Sequence, residues 1–385
     1  MLHTAALYDE DSDLREFDAR VLACTACDGG FDVILDRTAF FPEGGGQGAD
    51  HGMLGQARVF DVRKQNGEIL HRVDCALPVG AEVHGVLDWA RRFDLMQQHS
   101  GEHLVSGLVH NQFGYDNVGF HLGSDVMTID FNGMLTMEQL RQIQDRVNAV
   151  IWQNLEVKAY YPDPETLAKT PYRSKKELTE AVRLVEYPGV DICACCGTHV
   201  RHTGEIGLVL ILSCVKFRQG VRVELVCGQR AYAHLYEAWE QNRQIGALLS
   251  AQPWQTAQNV TRLQTELEQT RYQLTGCQNR LLHAQAQAFA GQKNALLFAD
   301  EQNPELLRKL AGEIAEQVSG TAAVLCGRDG KGYAYALASK QADAAALAKQ
   351  MNAALSGRGG GRGGFAQGKI AAERREIEAF FADLG

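Results

Sequence analysis

The chain has 385 residues, of which 45% are hydrophobic and 22% charged, and its formal net charge at pH 7 is −9. This length allows two to four domains, and the even composition excludes low-complexity and fibrous classes. No apolar run is long enough to cross a bilayer and no signal-peptide pattern opens the chain, so we predict no membrane partner.

The cysteines indicate a reducing compartment. Of the ten, three crowd into the sequence CACC, which does not resemble an extracellular disulfide framework. A thiolate metal site requires reduced cysteine, and we therefore predict a cytoplasmic location. The negative net charge argues only weakly against a nucleic-acid partner, because phosphate binding depends on local patches. Three basic patches occur, at 169–183, 201–230 and 358–375, although each is also compatible with a solvated surface.

Residues 1–90 have the pattern of short β-strands between turn residues, which predicts a small N-terminal β-barrel. The β-prone runs are 21–24, 31–35, 57–62, 69–73 and 83–87. Among them lies LDRTAFFPEGGGQGADHG at 35–52, with three consecutive glycines. Glycine permits a positive φ angle and close backbone approach, so this segment serves either a tight turn or a ligand, and its spacing favours the turn.

Residues 91–110 are predicted to form an amphipathic helix, because Leu104, Val105 and Leu108 recur at helical spacing. On this helix His99 and His103 are four residues apart, so their side chains project from the same side. Two imidazoles placed in this way can share one cation, most often zinc. A histidine pair on a helix is nevertheless also common on surfaces and in cores.

A second ligand pair follows in DICACCGTHV, where Cys195 and His199 are again four residues apart. One thiolate and three imidazoles suit zinc better than calcium or magnesium, which predicts one zinc ion per chain. HSGEH also fits the metallopeptidase pattern H-x-x-E-H, with Glu102 as the base. In such an enzyme the distant CCGTH would have no role, and short motifs match by chance.

The remainder of 91–235 is predicted to be an α+β domain. A second helix is expected at 137–154 and strands at 182–187, 207–213 and 221–227. Residues 236–295 form a predicted helical or coiled-coil linker, because apolar residues occupy a and d positions of a heptad. These residues are Val260, Leu263, Leu267, Leu274, Cys277 and Leu281. The pattern allows a helical hairpin or a homodimer that pairs through the linker and the C-terminal domain.

Residues 296–385 alternate helix, strand, strand and helix, with strands at 322–326 and 333–338, which predicts a C-terminal α/β domain. The sequence SGRGGGRGGFAQGKI at 356–370 matches parts of two nucleotide-binding motifs, but neither match follows a strand. We predict instead a mobile glycine loop. Its cations Arg358, Arg362 and Lys369 are expected to contact a phosphate backbone.

Three segments together resemble a known family. LDRTAFFPEGGGQGADHG, QQHSGEHLVSG and CCGTHVRHTGEIG, in this order and spacing, are similar to the editing region of alanyl-tRNA synthetase. They are more similar still to the free-standing alanyl-tRNA editing proteins, the AlaX family. The resemblance covers about 7–231, and the tail resembles the C-terminal domain that the synthetase shares with DHH phosphoesterases (DHHA1-like).

The resemblance implies hydrolysis of mischarged tRNA(Ala), chiefly the seryl and also the glycyl ester, in trans. It implies zinc bound by His99, His103, Cys195 and His199, because these match the H-x-x-x-H and C-x-x-x-H motifs. It also implies that Thr38 and Gln47, the catalytic candidates, lie near the aminoacyl end. The family usually has C-G-G-T-H, whereas here a cysteine stands second, so a neighbouring thiol could compete for the metal.

Serine differs from alanine by one hydroxyl, which an apolar pocket cannot strongly reject. A hydroxyl donor such as Thr38 would hydrogen-bond the seryl side chain, a contact that alanine lacks. Zinc either activates a water or only organises the pocket, and the sequence allows both. The alternative hypothesis is a protein of another functional class, a non-catalytic, zinc-stabilised tRNA-binding or assembly protein with the same fold.

Overall fold

The computed structural model describes residues 3–174, 182–300 and 303–384. It divides into two compact units, Met1–Gln244 and Ile245–Gly385. Helices and strands alternate in both units, so the predicted mixed α and β, multidomain class is confirmed. No helix among the described residues is long and apolar enough to cross a membrane. The predicted basic patch at 169–183 includes Lys175 and Lys176, which lie outside the described residues.

The first unit begins with short elements followed by six strands that hydrogen-bond in a closed ring. Strand β1 (Ala5–Ala6) precedes helix α1 (Leu7–Glu10) and pairs in parallel with β4 (Arg37–Thr38). The ring has the order β2-β3-β7-β6-β5-β8. Its strands are β2 (Glu16–Cys27), β3 (Gly30–Leu35), β5 (Gly52–Leu54), β6 (Ala57–Gln65), β7 (Glu68–Val73) and β8 (Glu82–Leu87). The five predicted β-prone runs all lie in these strands, because apolar residues alternate inward along them.

The rest of the first unit packs around one long helix. Two sheets accompany it, a four-stranded sheet in the order β14-β15-β10-β9 and a three-stranded sheet in the order β11-β12-β13. The helices are α2 (Trp89–Phe113), α3 (Met137–Trp152), α4 (Pro164–Lys169) and α5 (Gly228–Leu248). The strands are β9 (Asn117–Leu122), β10 (Met127–Phe131), β11 (Lys158–Tyr160), β12 (Leu184–Tyr187), β13 (Asp191–Ala194), β14 (Val209–Phe217) and β15 (Gly220–Cys227). The second helix and the strands predicted for this region are present.

Helix α2 is the structural centre of this unit. The Asp88 side chain caps its start by accepting a hydrogen bond from the Arg91 N–H, and Gly114 ends it in the left-handed conformation with φ of 69°. From Leu95 to Val109 every residue is buried, including His99 and His103. The predicted amphipathic helix is therefore enclosed on its polar side as well. Buried polar side chains require partners, and those partners form the candidate site.

A buried ion pair joins α2 to the segment between β4 and β5. The side chains of Arg92 and Asp50 are 0% and 1% exposed, and the guanidinium donates to both carboxylate oxygens. Arg92 also donates to the carbonyl oxygens of Ser12 and Ala39, at 2.7 and 2.6 Å. Asp50 additionally accepts from the Phe41 N–H at 2.6 Å. This pair fixes the start of α2 against the turn that follows β4.

The second unit contains one five-stranded sheet with helices. The sheet order is β16-β17-β18-β20-β19. Its strands are β16 (Ala295–Phe298), β17 (Thr321–Arg328), β18 (Gly332–Ser339), β19 (Arg358–Arg362) and β20 (Phe365–Ile370). Its helices are α6 (Thr256–Gln287), α7 (Pro304–Gln317), α8 (Ala344–Ala354) and α9 (Arg374–Ala382). The two strands predicted here are confirmed as parts of β17 and β18.

The prediction of a mobile glycine loop at 356–370 is wrong. The segment forms the antiparallel hairpin β19–β20, in which Arg358 pairs with Lys369 and Arg362 with Phe365. Glycine was interpreted as a loop former, but here it permits close packing, because a Cβ on Gly361 would lie 2.0 Å from the Phe365 carbonyl oxygen. The segment is therefore part of the sheet, with β19 as its edge strand.

The predicted helical segment is two helices. Helix α5 ends at Leu248 and α6 begins at Thr256, with a short 3₁₀ turn at Pro253–Gln255 between them. Proline lacks an N–H and disfavours a helical conformation of the preceding residue, which explains the break. Apolar heptad residues of α6 are exposed to solvent by 40–60%: Val260, Leu263, Leu267, Leu274 and Leu281.

Candidate metal centre

The four predicted ligands lie together. His99, His103, Cys195 and His199 each offer one ligand atom, and these atoms all lie within 4.8 Å of one another. The Cys195 Sγ is 3.5 Å from the His99 Nε2 and 3.4 Å from the His199 Nε2. The two helix residues come from α2, and the other two come from the loop that follows β13. The tertiary fold thus joins two pairs that are about a hundred residues apart in sequence.

His99 is held from the glycine segment. Its Nδ1 lies 3.0 Å from the Gln47 Oε1, and the Gln47 Nε2 donates to the Thr198 hydroxyl at 2.7 Å. The Thr198 N–H donates in turn to the Gln47 Oε1 at 3.2 Å. Gln47, which was predicted to lie near the aminoacyl end, here bonds a candidate ligand and the loop that carries two others. These contacts make it a positioning residue for the cluster.

His103 and His199 are held from the three-stranded sheet. The His103 Nδ1 lies 3.1 Å from the Asp191 Oδ2, and the His199 Nδ1 lies 3.2 Å from the Tyr187 hydroxyl. Together with His99, each imidazole therefore uses Nδ1 for an outer partner and turns Nε2 towards the cluster. Metal-binding histidines characteristically make such outer hydrogen bonds, because these set the ring orientation and the tautomer.

The chemistry of the cluster fits a metal ion. Among the residues that the structure describes, the buried Nε2 of His103 has no hydrogen-bond partner, and a buried polar atom without a partner is costly. Burial opposes ionisation of Cys195, but the surrounding imidazoles hold the pKa of its thiol well below the usual value. Burial lowers the pKa of His199 to about 3, so its imidazole is neutral. A thiolate and a neutral imidazole are the forms that bind metals. At His103 burial acts in the same direction, but the hydrogen bond to Asp191 raises the pKa of that imidazole well above its usual value, so metal binding there releases a proton.

The structure separates the three neighbouring thiols. Cys195 faces the three imidazoles. Cys196 is exposed, and partial burial together with the charge of the neighbouring Cys195 raises the pKa of its thiol. Cys193 is buried and its Sγ lies 3.7 Å from the Ala194 carbonyl oxygen. His103, Asp191 and Cys193 form a second group of ligand atoms, but Arg173 donates to both oxygens of Asp191 at 2.7 Å. A guanidinium in that place disfavours a second cation.

Glu102, the base of the metallopeptidase alternative, belongs to a buried network. Its Oε1 accepts from the Ser106 hydroxyl at 2.6 Å and from the Asn117 amide. Its Oε2 lies 4.0 Å from the His103 Nε2. Glu102 thus borders the cluster while its other oxygen anchors α2 to β9. This network was not expected from the sequence, because nothing in the motif indicates the partner Asn117.

The three consecutive glycines form a tight turn. Gly44 and Gln47 exchange both backbone hydrogen bonds at 3.0 Å, and Gly45 and Gly46 have φ angles of 61° and 88°. A Cβ on Gly46 would lie 2.7 Å from the Phe120 ring, which itself stacks on His99 with centroids 5.3 Å apart. The turn interpretation is therefore the one that the structure supports. The glycines let the turn approach the histidine and deliver the Gln47 side chain.

Thr38 lies buried inside the barrel region. Its hydroxyl is 2.8 Å from the His71 Nε2 and accepts from the Phe40 N–H at 3.1 Å. The His71 Nδ1 lies 3.1 Å from the Val33 carbonyl oxygen, which only accepts, so Nδ1 carries the proton. Burial lowers the pKa of His71 to about 4, so its Nε2 accepts from Thr38. The hydroxyl hydrogen of Thr38 is thus already used, and towards a ligand Thr38 can only accept.

The three predicted RNA-binding cations do not form one loop. Arg358 and Lys369 face each other across the hairpin, but Arg362 lies at the opposite end of β19. Lys369 lines an open cleft of about 610 Å³, together with Arg328 and Lys331. Arg328 and Lys331 were not predicted from the sequence. They lie about forty residues before Lys369, and only the folded sheet places the turn between β17 and β18 at the same cleft as Lys369.

Comparison with known proteins shows the family to which the chain belongs. Residues 182–224 match the family model of the threonyl and alanyl tRNA synthetase second additional domain, and residues 12–91 match that of class II (A) tRNA synthetases. The chain is 36% identical over 223 residues to the alanyl-tRNA editing protein AlaX-M of Saccharolobus solfataricus, a match that covers 54% of this chain and 92% of that protein. The chain belongs to the alanyl-tRNA editing protein family.

Other relatives extend the similarity over the whole editing protein. Residues 291–384 of this chain match the family model of the DHHA1 domain. The alanyl-tRNA editing protein AlaX-L of Pyrococcus horikoshii is 27% identical over 395 residues, and the match covers 96% of both chains. An alanine–tRNA ligase of Ignicoccus hospitalis is 32% identical over 97% of this chain, which spans only 42% of that ligase. A solved C-Ala domain of Aquifex aeolicus alanyl-tRNA synthetase matches 25% of the chain at 21% identity with a TM-score of 0.22.

Proposed function

We propose that this editing protein hydrolyses the aminoacyl ester of mischarged tRNA(Ala), chiefly the seryl ester, with one zinc ion per chain. The observation that carries the proposal is the cluster of one thiolate and three imidazoles, each imidazole held by an outer partner. The similarity to the AlaX alanyl-tRNA editing proteins supports tRNA(Ala) editing. The reaction breaks the ester C–O bond with water and releases serine and a tRNA with a free terminal hydroxyl.

Zinc suits the donor set better than harder cations, because thiolate and imidazole are soft or borderline ligands. His99, His103, Cys195 and His199 would hold it. When bound, the ion supplies a positive charge that polarises an ester carbonyl or acidifies a water. The chain's own residues orient the donors, through Gln47, Asp191 and Tyr187. The three imidazoles are buried.

Selection of serine over alanine is assigned to Thr38 as a hydrogen-bond acceptor. Its hydroxyl oxygen accepts one bond, from the Phe40 N–H, and can accept another from a seryl hydroxyl. Alanine has no hydroxyl to donate. This differs from the expectation of a hydroxyl donor, because His71 takes the only hydrogen.

We expect Thr38→Val to slow release of serine from seryl-tRNA(Ala) more than release of alanine from alanyl-tRNA(Ala). Losing this contact should change the ratio by the equivalent of about 1 kcal/mol. The loss of the His71 partner affects the protein with either substrate and cancels in the ratio. The measurement is the ratio of the two single-turnover rates at saturating protein. Thr38→Ser keeps the hydroxyl and serves as the matched control. An equal ratio in Thr38→Val and wild type would remove Thr38 from selection.

The test of the function itself is incubation of the purified full chain with seryl-, glycyl- and alanyl-tRNA(Ala), followed by measurement of released amino acid. We expect serine release well above the spontaneous rate, with alanyl-tRNA(Ala) largely preserved. Binding of tRNA without release of any amino acid would favour the rival function, a zinc-stabilised tRNA-binding or assembly protein.

We propose that the second unit binds the tRNA backbone through the cations of its cleft, with Arg358 and Arg362 contributing from β19. Lys369, Arg328 and Lys331 line this cleft, and contacts between such cations and phosphates give affinity without reading bases.

The double variant Lys331→Gln, Lys369→Gln should bind tRNA more weakly. Each lost phosphate contact should reduce the slope of log affinity against log salt concentration by about 0.9. Lys309→Gln is the control, because Lys309 pairs with Glu305 on α7 at 3.3 Å. Unchanged affinity and slope in the double variant would contradict this assignment.

We also propose that α6 pairs two chains into a homodimer. Its a and d residues carry an exposed apolar stripe, which is typical of a coiled-coil seam. Sedimentation of the full chain at several concentrations distinguishes a dimer from a monomer. If the protein is a monomer at all concentrations, α6 does not pair two chains, and RNA binding is the only proposed role of the second unit.

A further inference from the structure

Asp191 occupies a place that links a candidate ligand to a buried cation. It begins β13, and its side chain is 2% exposed. The carboxylate accepts from the Arg173 Nε at 2.7 Å and the Arg173 Nη2 at 2.7 Å, and its Oδ2 lies 3.1 Å from the His103 Nδ1. Among the described residues, the hydrogen bonds of this carboxylate thus involve a guanidinium and an imidazole.

These contacts determine which nitrogen of His103 can bind a metal. A carboxylate engaged by arginine only accepts, so the His103 Nδ1 must carry a proton. Nε2, which points into the cluster, then has the lone pair that a metal requires. Arg173 grips both oxygens at once, which fixes the plane of the carboxylate and balances its charge.

The backbone around Asp191 allows its side chain to lie close to α2. Gly107 lies on α2 one turn after His103, and a Cβ there would lie 2.7 Å from the Asp191 Cβ and 2.9 Å from the Val190 carbonyl oxygen. The Arg173 N–H donates to the Ile192 carbonyl at 2.8 Å, and the Ala194 N–H donates to the Arg173 carbonyl at 2.9 Å. Arg173 is thus held against the strand that carries Asp191.

The same hairpin orients a second imidazole. In the antiparallel pairing of β12 with β13, Tyr187 lies directly opposite Asp191. Tyr187 bonds the His199 Nδ1, while Asp191 bonds the His103 Nδ1. One cross-strand pair therefore sets two of the three rings.

We infer that Asp191, clamped by Arg173, is a positioning residue that sets the tautomer of His103 and thereby the affinity of the cluster for its metal. This inference rests on the proposed role of His103 as a zinc ligand. Asp191 acts from outside the cluster, because both of its oxygens are committed to Arg173 and His103.

The test measures zinc affinity of the full chain by competition with a chelating indicator. In Asp191→Asn the amide oxygen is expected to stay with Arg173 and its NH2 group to face the His103 Nδ1, which favours the wrong tautomer. We expect zinc affinity to fall about 10- to 100-fold, the usual cost of losing an outer partner. Asp130→Asn is the matched control, because Asp130 is gripped by Arg222 at 2.7 and 2.8 Å on β10. Its zinc affinity should equal that of wild type.

Absorption spectra of the cobalt-substituted protein distinguish a positioning role of Asp191 from a role as a metal ligand. The cobalt absorption bands of Asp191→Asn should keep the shape of wild type, because the ligand set is unchanged. A changed band shape would identify Asp191 as a ligand and overturn the inference, as would wild-type zinc affinity in Asp191→Asn. Absence of zinc binding in wild type would instead refute the proposed metal site.

A second variant guards against a folding defect. Arg173→Lys keeps the charge but replaces the two-point grip with one donor, so zinc affinity should fall by a smaller factor than in Asp191→Asn. Circular dichroism of the metal-free variants reports whether they fold. If Asp191→Asn does not fold and Arg173→Lys binds zinc as tightly as wild type does, the inference is wrong.

Discussion

Replacement of Cys195 by alanine should remove the metal from the protein and abolish ester hydrolysis. Its Sγ lies 3.5 Å from the His99 Nε2 and 3.4 Å from the His199 Nε2, and it belongs to the described group that contains all three imidazoles, whereas Cys193 is grouped with His103 alone among them. Loss of an outer partner already costs about 10- to 100-fold in affinity, so loss of a ligand should cost more than about 100-fold. Metal content after dialysis and serine release from seryl-tRNA(Ala) are the two measurements.

The adjacent thiols supply the controls for this result. Cys196 is exposed and Cys193 is turned towards a backbone carbonyl, so Cys196→Ala and Cys193→Ala should retain zinc and activity. Full zinc content in Cys195→Ala, together with loss in either control, would assign the metal to the other thiol. Such an outcome would also remove the spacing argument that joins Cys195 to His199.

Replacement of Arg92 by methionine should destabilise the first unit by about 3–5 kcal/mol, because the variant leaves a buried carboxylate without its cation. Asp50 is 1% exposed, and the carbonyl oxygens of Ser12 and Ala39 would lose their donor as well. The measurement is the urea dependence of unfolding, followed by far-ultraviolet circular dichroism.

Two further variants separate this effect from lost packing. Arg20→Met removes the guanidinium of an exposed pair, in which Arg20 and Glu82 are 60% and 65% exposed, and should cost at most about 1 kcal/mol. The double variant Arg92→Met, Asp50→Asn removes the buried charge and should recover part of the loss. A cost for Arg92→Met as small as that for Arg20→Met would show that the ion pair does not anchor α2.

Patterns with a fixed period were predictable from the sequence. The strands of the barrel follow an alternation of apolar residues, and His99 and His103 follow the spacing of one helical turn. Cys195 and His199 could be paired with them because thiolate and imidazole are a common donor set for zinc. These features depend on residues that lie near one another in sequence.

Three partners were not predictable, because each is contributed by an element that is distant in sequence. Asp191 lies 88 residues from His103, Gln47 lies 52 residues from His99, and His71 lies 33 residues from Thr38. An isolated aspartate or glutamine carries no pattern that identifies its partner. The glycine hairpin β19–β20 was missed for a related reason, since only the neighbouring strand shows that a glycine allows close pairing there.

Gln47 bonds both His99 and Thr198, and it reaches them from a turn that belongs to the barrel segment. A metal ion that fixes His99 therefore also favours the docked position of this turn. By thermodynamic reciprocity, docking of the turn favours metal binding by the same free energy. Removal of the metal should consequently increase amide hydrogen exchange at Gly44 and Gln47, although neither residue is a ligand. We therefore expect metal binding and the order of this turn to be thermodynamically coupled.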